Sequence, residues 1–341
     1  MKSNQKRQLI SALKTGLISA FVTATFMYLI YYPGWQSVAA GLCIGFFIPV
    51  ILSYYSNNIV RKHLVKTNLL ILLTLNTIVH LVVIFVVAVI FVVLFYMHGN
   101  FQAIFNDFQF LYSRLFIIGM GFGISLALIF NFFYILNTLI GKNILGKLFI
   151  GMYRKPIEVD RVFMFLDIKS STTIAEKIGH LKFLSLVNDF FYDITEPVYQ
   201  TKGEIYKYVG DEAIISWKTK DAVLDANCIK CFYLIQETIL NKSDYYQKKY
   251  GVVPEFKAGL HGGLAVTGEL GYTKREIAYM GDVVNTTSRI EEACKTFNEL
   301  LLISEDLVLK MNQQKNYQFI EIGKSKLRGK EKEMILYKIS D

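Results

Sequence analysis

Four long apolar stretches fill most of the first 140 residues of this 341-residue chain, at about 15–32, 38–55, 69–97 and 111–140. A segment of about 20 apolar residues crosses the hydrocarbon core of a bilayer. Each stretch is close to or beyond that length, and the last two have enough to spare for tilt. After about Lys147 the sequence changes character, with charged residues interspersed among short apolar runs of strand and helix pattern. Two unlike domains are therefore expected. The first is an all-α domain of four transmembrane helices over 1–140. A cytoplasmic linker over 141–159 follows, then an α/β (α+β) domain over 160–341.

The loops orient the membrane half. Lys2, Lys6, Arg7 and Lys14 precede the first stretch; Arg61, Lys62 and Lys66 separate the second from the third; Lys142, Lys147, Arg154 and Lys155 follow the fourth. Tyr31–Gln36 and His98–Gln109 hold no Lys or Arg. Basic residues collect on the cytoplasmic side, so both termini and the second domain are expected in the cytoplasm of a multi-pass protein of the cell (inner) membrane. Arg114 is one charge against three clusters. No small-residue cleavage site precedes Pro33-Gly34-Trp35, which argues against a cleaved leader. The net charge of +9 is read through these flanking clusters and through contact with membrane lipid. No interleaving of basic and aromatic residues marks a nucleic-acid groove.

Asn76, Thr77 and His80 in the third stretch, and Asn131 and Asn137 in the fourth, are polar residues at membrane depth. They fit either a site for an unknown membrane ligand or ion or hydrogen bonds between helices. Gly119, Gly121 and Gly123 suit close helix packing. Cys228 and Cys231 have CxxC spacing within the helical pattern Ala222–Leu240, with no second pair or histidine pair to complete a zinc site. With Cys43 and Cys294 they read as thiols of a reducing cytoplasm.

The chemistry lies in the second half. The buried run Arg161–Leu166 reads as a strand that ends at Asp167. Ser170, Ser171 and Thr172 follow at the start of an amphipathic helix, where free backbone N–H groups attract an anion; a simple helix cap is the alternative. Glu204–Lys218 reads as a hairpin turning at Gly210-Asp211. Two carboxylates delivered by strand ends suit a metal-bound polyphosphate. Phe256–Leu260 reads as a strand, His261-Gly262-Gly263 as a turn, and Leu264–Gly268 as a returning strand. Asp282 is expected to cap the next helix. On that helix Asn285 and Arg289 stand four apart, as a clamp for ribose and phosphate or as a solvated face with Arg289 paired to Glu292.

Asp167-Ile168, the Lys207 to Asp211 hairpin, Gly281-Asp282-Val283-Val284-Asn285 to Arg289, and Leu327-Arg328-Gly329-Lys330 occur in this order. Over about Arg161 to Ile339 the chain resembles the class III adenylate/guanylate cyclase catalytic domain, of the bacterial membrane-anchored type. The resemblance implies a ferredoxin-like βαββαβ core and conversion of ATP to 3′,5′-cyclic AMP and pyrophosphate in intracellular signalling. It implies two Mg²⁺ or Mn²⁺ ions per site on Asp167, Asp211 and the Ile168 carbonyl. Asn285 would orient the ribose and Arg289 would stabilise the transition state. Ser170, Ser171, Thr172, Lys257 and Arg328 would hold the triphosphate. Lys207 takes the base-reading position and suits adenine, whereas guanylate cyclases usually carry an acid there. Ala278 stands where the family supplies an acceptor for the adenine amino group, and an aromatic residue is frequent at the position of Ser171. The resemblance also implies a homodimer with two composite sites.

Guanylate cyclase activity is the nearest alternative. A non-catalytic nucleotide-binding membrane receptor would lack a use for so complete a set of residues. The turn Val209-Gly210-Asp211-Glu212-Ala213 differs from the Gly-Gly-Asp/Glu-Glu-Phe turn of diguanylate cyclases. A transporter would explain the apolar stretches but not the motifs.

Overall fold

Contacts along the chain divide it into two units, Met1–Phe149 and Ile150–Asp341. The structure is a computed structural model that describes residues 3–30, 35–55, 69–95, 117–118, 121–122, 124–125, 128–129, 131–133, 151–273, 275–311, 317–325 and 333–340.

In the first unit, α1 (Ser3–Ile30), α2 (Trp35–Tyr55) and α3 (Leu69–Phe95) cover three of the apolar stretches, and α1 begins well before Thr15. The described residues between Ile117 and Phe133 are helical. Asn137, Gly119 and Gly123 lie outside the described residues. Small residues let α1 and α2 touch: a Cβ on Gly41 would stand 2.4 Å from Ala24 Cα, and one on Gly45 2.7 Å from Ala20 Cα. Burial here is inverted relative to a water-soluble domain. Ser19, Thr23, Asn76, His80 and Asn131 are buried, while Leu17, Ile18, Phe21 and Leu29 are 63%, 70%, 74% and 74% exposed. Asn76 Nδ2 donates to Asn131 Oδ1 (2.5 Å), and Asn131 Nδ2 donates to Thr77 Oγ1 (3.1 Å). His80 Nδ1 sits 2.6 Å from the Asn76 carbonyl of its own helix. These polar residues therefore serve contacts between and within helices. Among the described residues, one helix has a window, Ala12–Leu29, long and apolar enough to cross a membrane; the apolar parts of the others, Gly41–Tyr55 and Thr74–Val87, are shorter.

The second unit runs β1 (Ile157–Ile168), α4 (Ser171–Ile178), α5 (His180–Gln200), β2 (Glu204–Val209), β3 (Glu212–Lys218), α6 (Thr219–Val223), α7 (Asn227–Leu240), α8 (Ser243–Tyr250), β4 (Phe256–Leu270), β5 (Glu276–Met280), α9 (Asp282–Phe297), β6 (Leu301–Ser304), α10 (Glu305–Lys310), β7 (Phe319–Ser325) and β8 (Met334–Ile339). The sheet order is β2-β3-β1-β4-β6-β8-β7, with β5 hydrogen-bonded to β4. The first four strands are antiparallel neighbours, which with α5 and α7 is the expected βαββαβ core. β6 joins β4 in parallel and makes the sheet mixed.

Alternation along β1 sorts its side chains to two faces. Val162, Met164, Leu166 and Ile168 pack with α5 and α7 (Leu186, Phe190, Ile194; Ile229, Phe232, Ile235). Each such buried side chain contributes roughly 1.5–3 kcal/mol. Phe163 and Phe165 point the other way, into a cluster with Ile214, Ala265 and Val283. Asp167 continues that second face. Cys228 and Cys231 are free thiols in the main core, pushed up to about 12 by burial.

One expectation about the strands fails. His261-Gly262-Gly263 is not a turn, because β4 runs unbroken and pairs with β1 from Ile157↔Thr267 to Ile168↔Phe256. Gly262 serves close packing: a Cβ there would meet Val162 Cγ2 at 3.0 Å.

Candidate active site

Asp167, one residue before the end of β1, lies opposite Glu212 of β3 and Lys257 of β4. Asp211 stands beside them in the β2–β3 turn, which Gly210 makes with φ 63°. The hairpin is thus as the sequence foretold. A fourth carboxylate arrives from α9. That helix lies directly on β4 at Gly259, where a Cβ would come within 2.4 Å of the Glu291 backbone nitrogen. The contact delivers Glu291, 5% exposed, to the end of the sheet. Lys257 Nζ donates to Glu291 Oε1 and lies 3.4 Å from Asp167 Oδ2.

Four carboxylates thus cluster here with one ammonium, which contacts two of them, Glu291 and Asp167. Burial, then the charges of Glu291 and Asp211, push Asp167 up to about 6, against the pull of Lys257. Burial, then Glu291, Asp167 and Asp211, push Glu212 up to about 7. Asp211 Oδ2 is buried without a hydrogen-bond partner. A buried carboxylate oxygen left open, amid excess negative charge, fits a divalent cation. Among the described residues no group of three or more His, Cys, Asp or Glu is arranged as a metal cage. The two aspartates and a backbone carbonyl such as that of Ile168 are the groups that would hold such a cation.

α4 opens after Ser170, whose backbone is left-handed (φ 55°, ψ 31°) and whose side chain makes no cap bond. The first-turn amides around Ser171 and Thr172 are thus not capped by Ser170. Lys207, on β2, donates to Glu276 Oε1 and Oε2 at 3.2 and 3.4 Å. Ala278 lies two residues further along β5. Asp282 is the first residue of α9 and not its cap; Gly281 holds the cap position. Asn285 is exposed and Arg289 half-buried. Arg289 and Glu291 are two residues apart, about 200° around the helix, so Arg289 projects from a different side of α9 than the one facing Lys257. Arg328 lies outside the described residues.

The structure therefore gathers Asp167, Asp211 and Lys257, and adds Glu212 and Glu291. Glu212 could have been found from the pairing of β1 with β3; Glu291 carries no local signal.

Residues 156–341 match the family described as the Adenylate and Guanylate cyclase catalytic domain, and the chain belongs to that family. Cyclases of this class use divalent metals. "Adenylate cyclase 2" of Rhizobium meliloti (strain 1021) is 39% identical over 194 residues, 57% of this chain and 53% of that protein. "Adenylate cyclase" of Anabaena cylindrica is 27% identical over 184 residues, 52% of this chain and 36% of that protein. The chain spans about half the length, or less, of these curated relatives. A bacterial light-regulated adenylyl cyclase has the same fold, with a TM-score of 0.55 at 19% identity over 64% of each chain.

Proposed function

We propose that this protein is a membrane-anchored adenylate cyclase that converts ATP to 3′,5′-cyclic AMP and pyrophosphate. The observation that carries the reading is the Asp167–Asp211 pair, with Asp211 Oδ2 unbonded under a surplus of carboxylates. Asp167, Asp211 and the Ile168 carbonyl would hold Mg²⁺ or Mn²⁺, two per site. A bound divalent cation supplies charge neutralisation of the triphosphate and a lowered pKa for the ribose 3′-hydroxyl. The 3′-oxygen attacks the α-phosphorus, losing its proton, as the bond to the pyrophosphate oxygen breaks. Arg289 stabilises charge growing on the α-phosphate, and Asn285 orients the ribose. The amides around Ser170, Ser171 and Thr172, with Lys257 and Arg328, hold the β- and γ-phosphates. Lys207 donates to adenine N1.

Because Arg289 leaves α9 on a different side from Glu291, the site is completed by the Lys207, Asn285 and Arg289 of a second copy, and the protein works as a homodimer with two composite sites. The inverted burial of the first unit supports a multi-pass membrane domain, with exposed Leu, Ile and Phe side chains facing lipid. Both termini and the cyclase domain lie in the cytoplasm. A guanylate cyclase is the second reading, favoured only by the missing acceptor at Ala278.

The decisive measurement is product identification from the purified chain given ATP or GTP with Mg²⁺ or Mn²⁺. Cyclic AMP in excess of cyclic GMP is expected; no cyclic nucleotide from either substrate would overturn the reading.

A further inference from the structure

Adenine presents two adjacent groups to a reader: N1, which accepts a hydrogen bond, and the 6-amino group, which donates one. Lys207 supplies only donors, so adenine selection also needs an acceptor beside it. Ala278 has no side-chain acceptor. The Lys207 ammonium is nevertheless in contact with one, since both carboxylate oxygens of Glu276 lie within 3.4 Å of it.

Glu276 and Ala278 stand two positions apart on β5 and share a face of the strand. The adjoining residues fix the geometry. Tyr279 N donates to Tyr206 Oη at 3.1 Å, and the two rings meet at 4.9 Å between centroids. Tyr206 directly precedes Lys207 and Tyr279 directly follows Ala278, so β2 and β5 are tied together where the lysine and the carboxylate meet. Both side chains are about half exposed (45% and 42%). An ion pair that exposed contributes little to stability, which leaves its charges available to a ligand.

We infer that Glu276 is a specificity-determining residue, and that its carboxylate takes the place of the acceptor missing at Ala278 by accepting from the adenine 6-amino group while Lys207 donates to N1. This deepens the cyclase reading and rests on it. Guanine in the same pose would set its N1–H against the ammonium and its O6 against the carboxylate, so the pair rejects it at both positions.

The test measures kcat/KM for ATP and for GTP with the full-length purified chain, for wild type, Glu276→Ala and the double variant Glu276→Ala/Ala278→Thr. The wild type is expected to prefer ATP. Glu276→Ala should lower the ATP-to-GTP ratio about tenfold or more through loss of activity on ATP. The threonine hydroxyl should restore much of the ratio. An unchanged ratio in Glu276→Ala, or an equal fall on both substrates, overturns the role of Glu276 while leaving the cyclase reading intact. A wild type that makes neither cyclic nucleotide sinks the cyclase reading, and this inference with it.

Discussion

Lys257 Nζ is shared between Glu291 of α9 and Asp167 of β1, 3.4 Å from the Asp167 carboxylate. One lysine on β4 thus couples the strand that carries the candidate metal ligands to the helix that carries Asn285 and Arg289. Removing Glu291 takes away the lysine's shortest contact, while Asp167 stays beside the ammonium. Glu291→Ala is expected to destabilise the protein by roughly 2 kcal/mol, measured as the shift in denaturation of the cyclase domain against wild type. A change under about 1 kcal/mol would mean that the contact does not hold α9 in place.

The carboxylate cluster makes stability pH-dependent when no metal is bound. Asp167 is raised from 3.8 to about 6 and Glu212 from 4.5 to about 7. Raised carboxyls bind protons more tightly in the folded state. Their contribution is present in full below about pH 4 and is lost as pH rises through about 6 and about 7. Unfolding midpoints taken in chelator should fall across that window. Mn²⁺ should reverse much of the fall, because a cation favours the ionised forms, and Asp167→Asn should flatten the profile. A midpoint insensitive to pH between 5 and 7 in chelator would contradict the clustering.

Gly259 sets how closely α9 lies on the sheet. A methyl group there would meet the Glu291 nitrogen at 2.4 Å and the Thr287 carbonyl oxygen at 2.8 Å, both backbone atoms that cannot swing aside. Gly259→Ala should cost about 1–3 kcal/mol and displace Glu291, Asn285 and Arg289 together. Reduced thermal stability and cyclase activity in the same variant would match this; a fully active, fully stable variant would not.

The legible parts of this chain were those written locally. Gly210-Asp211 announces its hairpin through turn chemistry within four residues. The start of α9 follows from Gly281-Asp282, off by one because Gly281 takes the cap. The apolar stretches declare helices by length. What escaped depends on partners distant in sequence. Gly262-Gly263 reads as a turn until β1 is laid beside it, and Glu291 is an ordinary helix residue until Gly259 admits the helix. Glu276 meets Lys207 across 69 positions, a separation no short motif records.

The most demanding test concerns how many chains build one site. On α9, Glu291 faces its own chain's Lys257 and Asp167, and Arg289 leaves the helix about 200° away. In the proposed homodimer the aspartates and the arginine of one chain serve different sites. On that reading Asp167→Ala removes a metal ligand from both sites of a homodimer and Asn285→Ala removes the ribose contact from both, so each variant alone should be nearly inactive. A mixed dimer places both lesions in one site and leaves the other whole. Co-expressed with separate affinity tags and purified through both, the heterodimer should regain up to about half the activity of a wild-type dimer. A doubly tagged heterodimer as inactive as its parents would show that each chain builds its site alone, and the dimer reading would have to be abandoned.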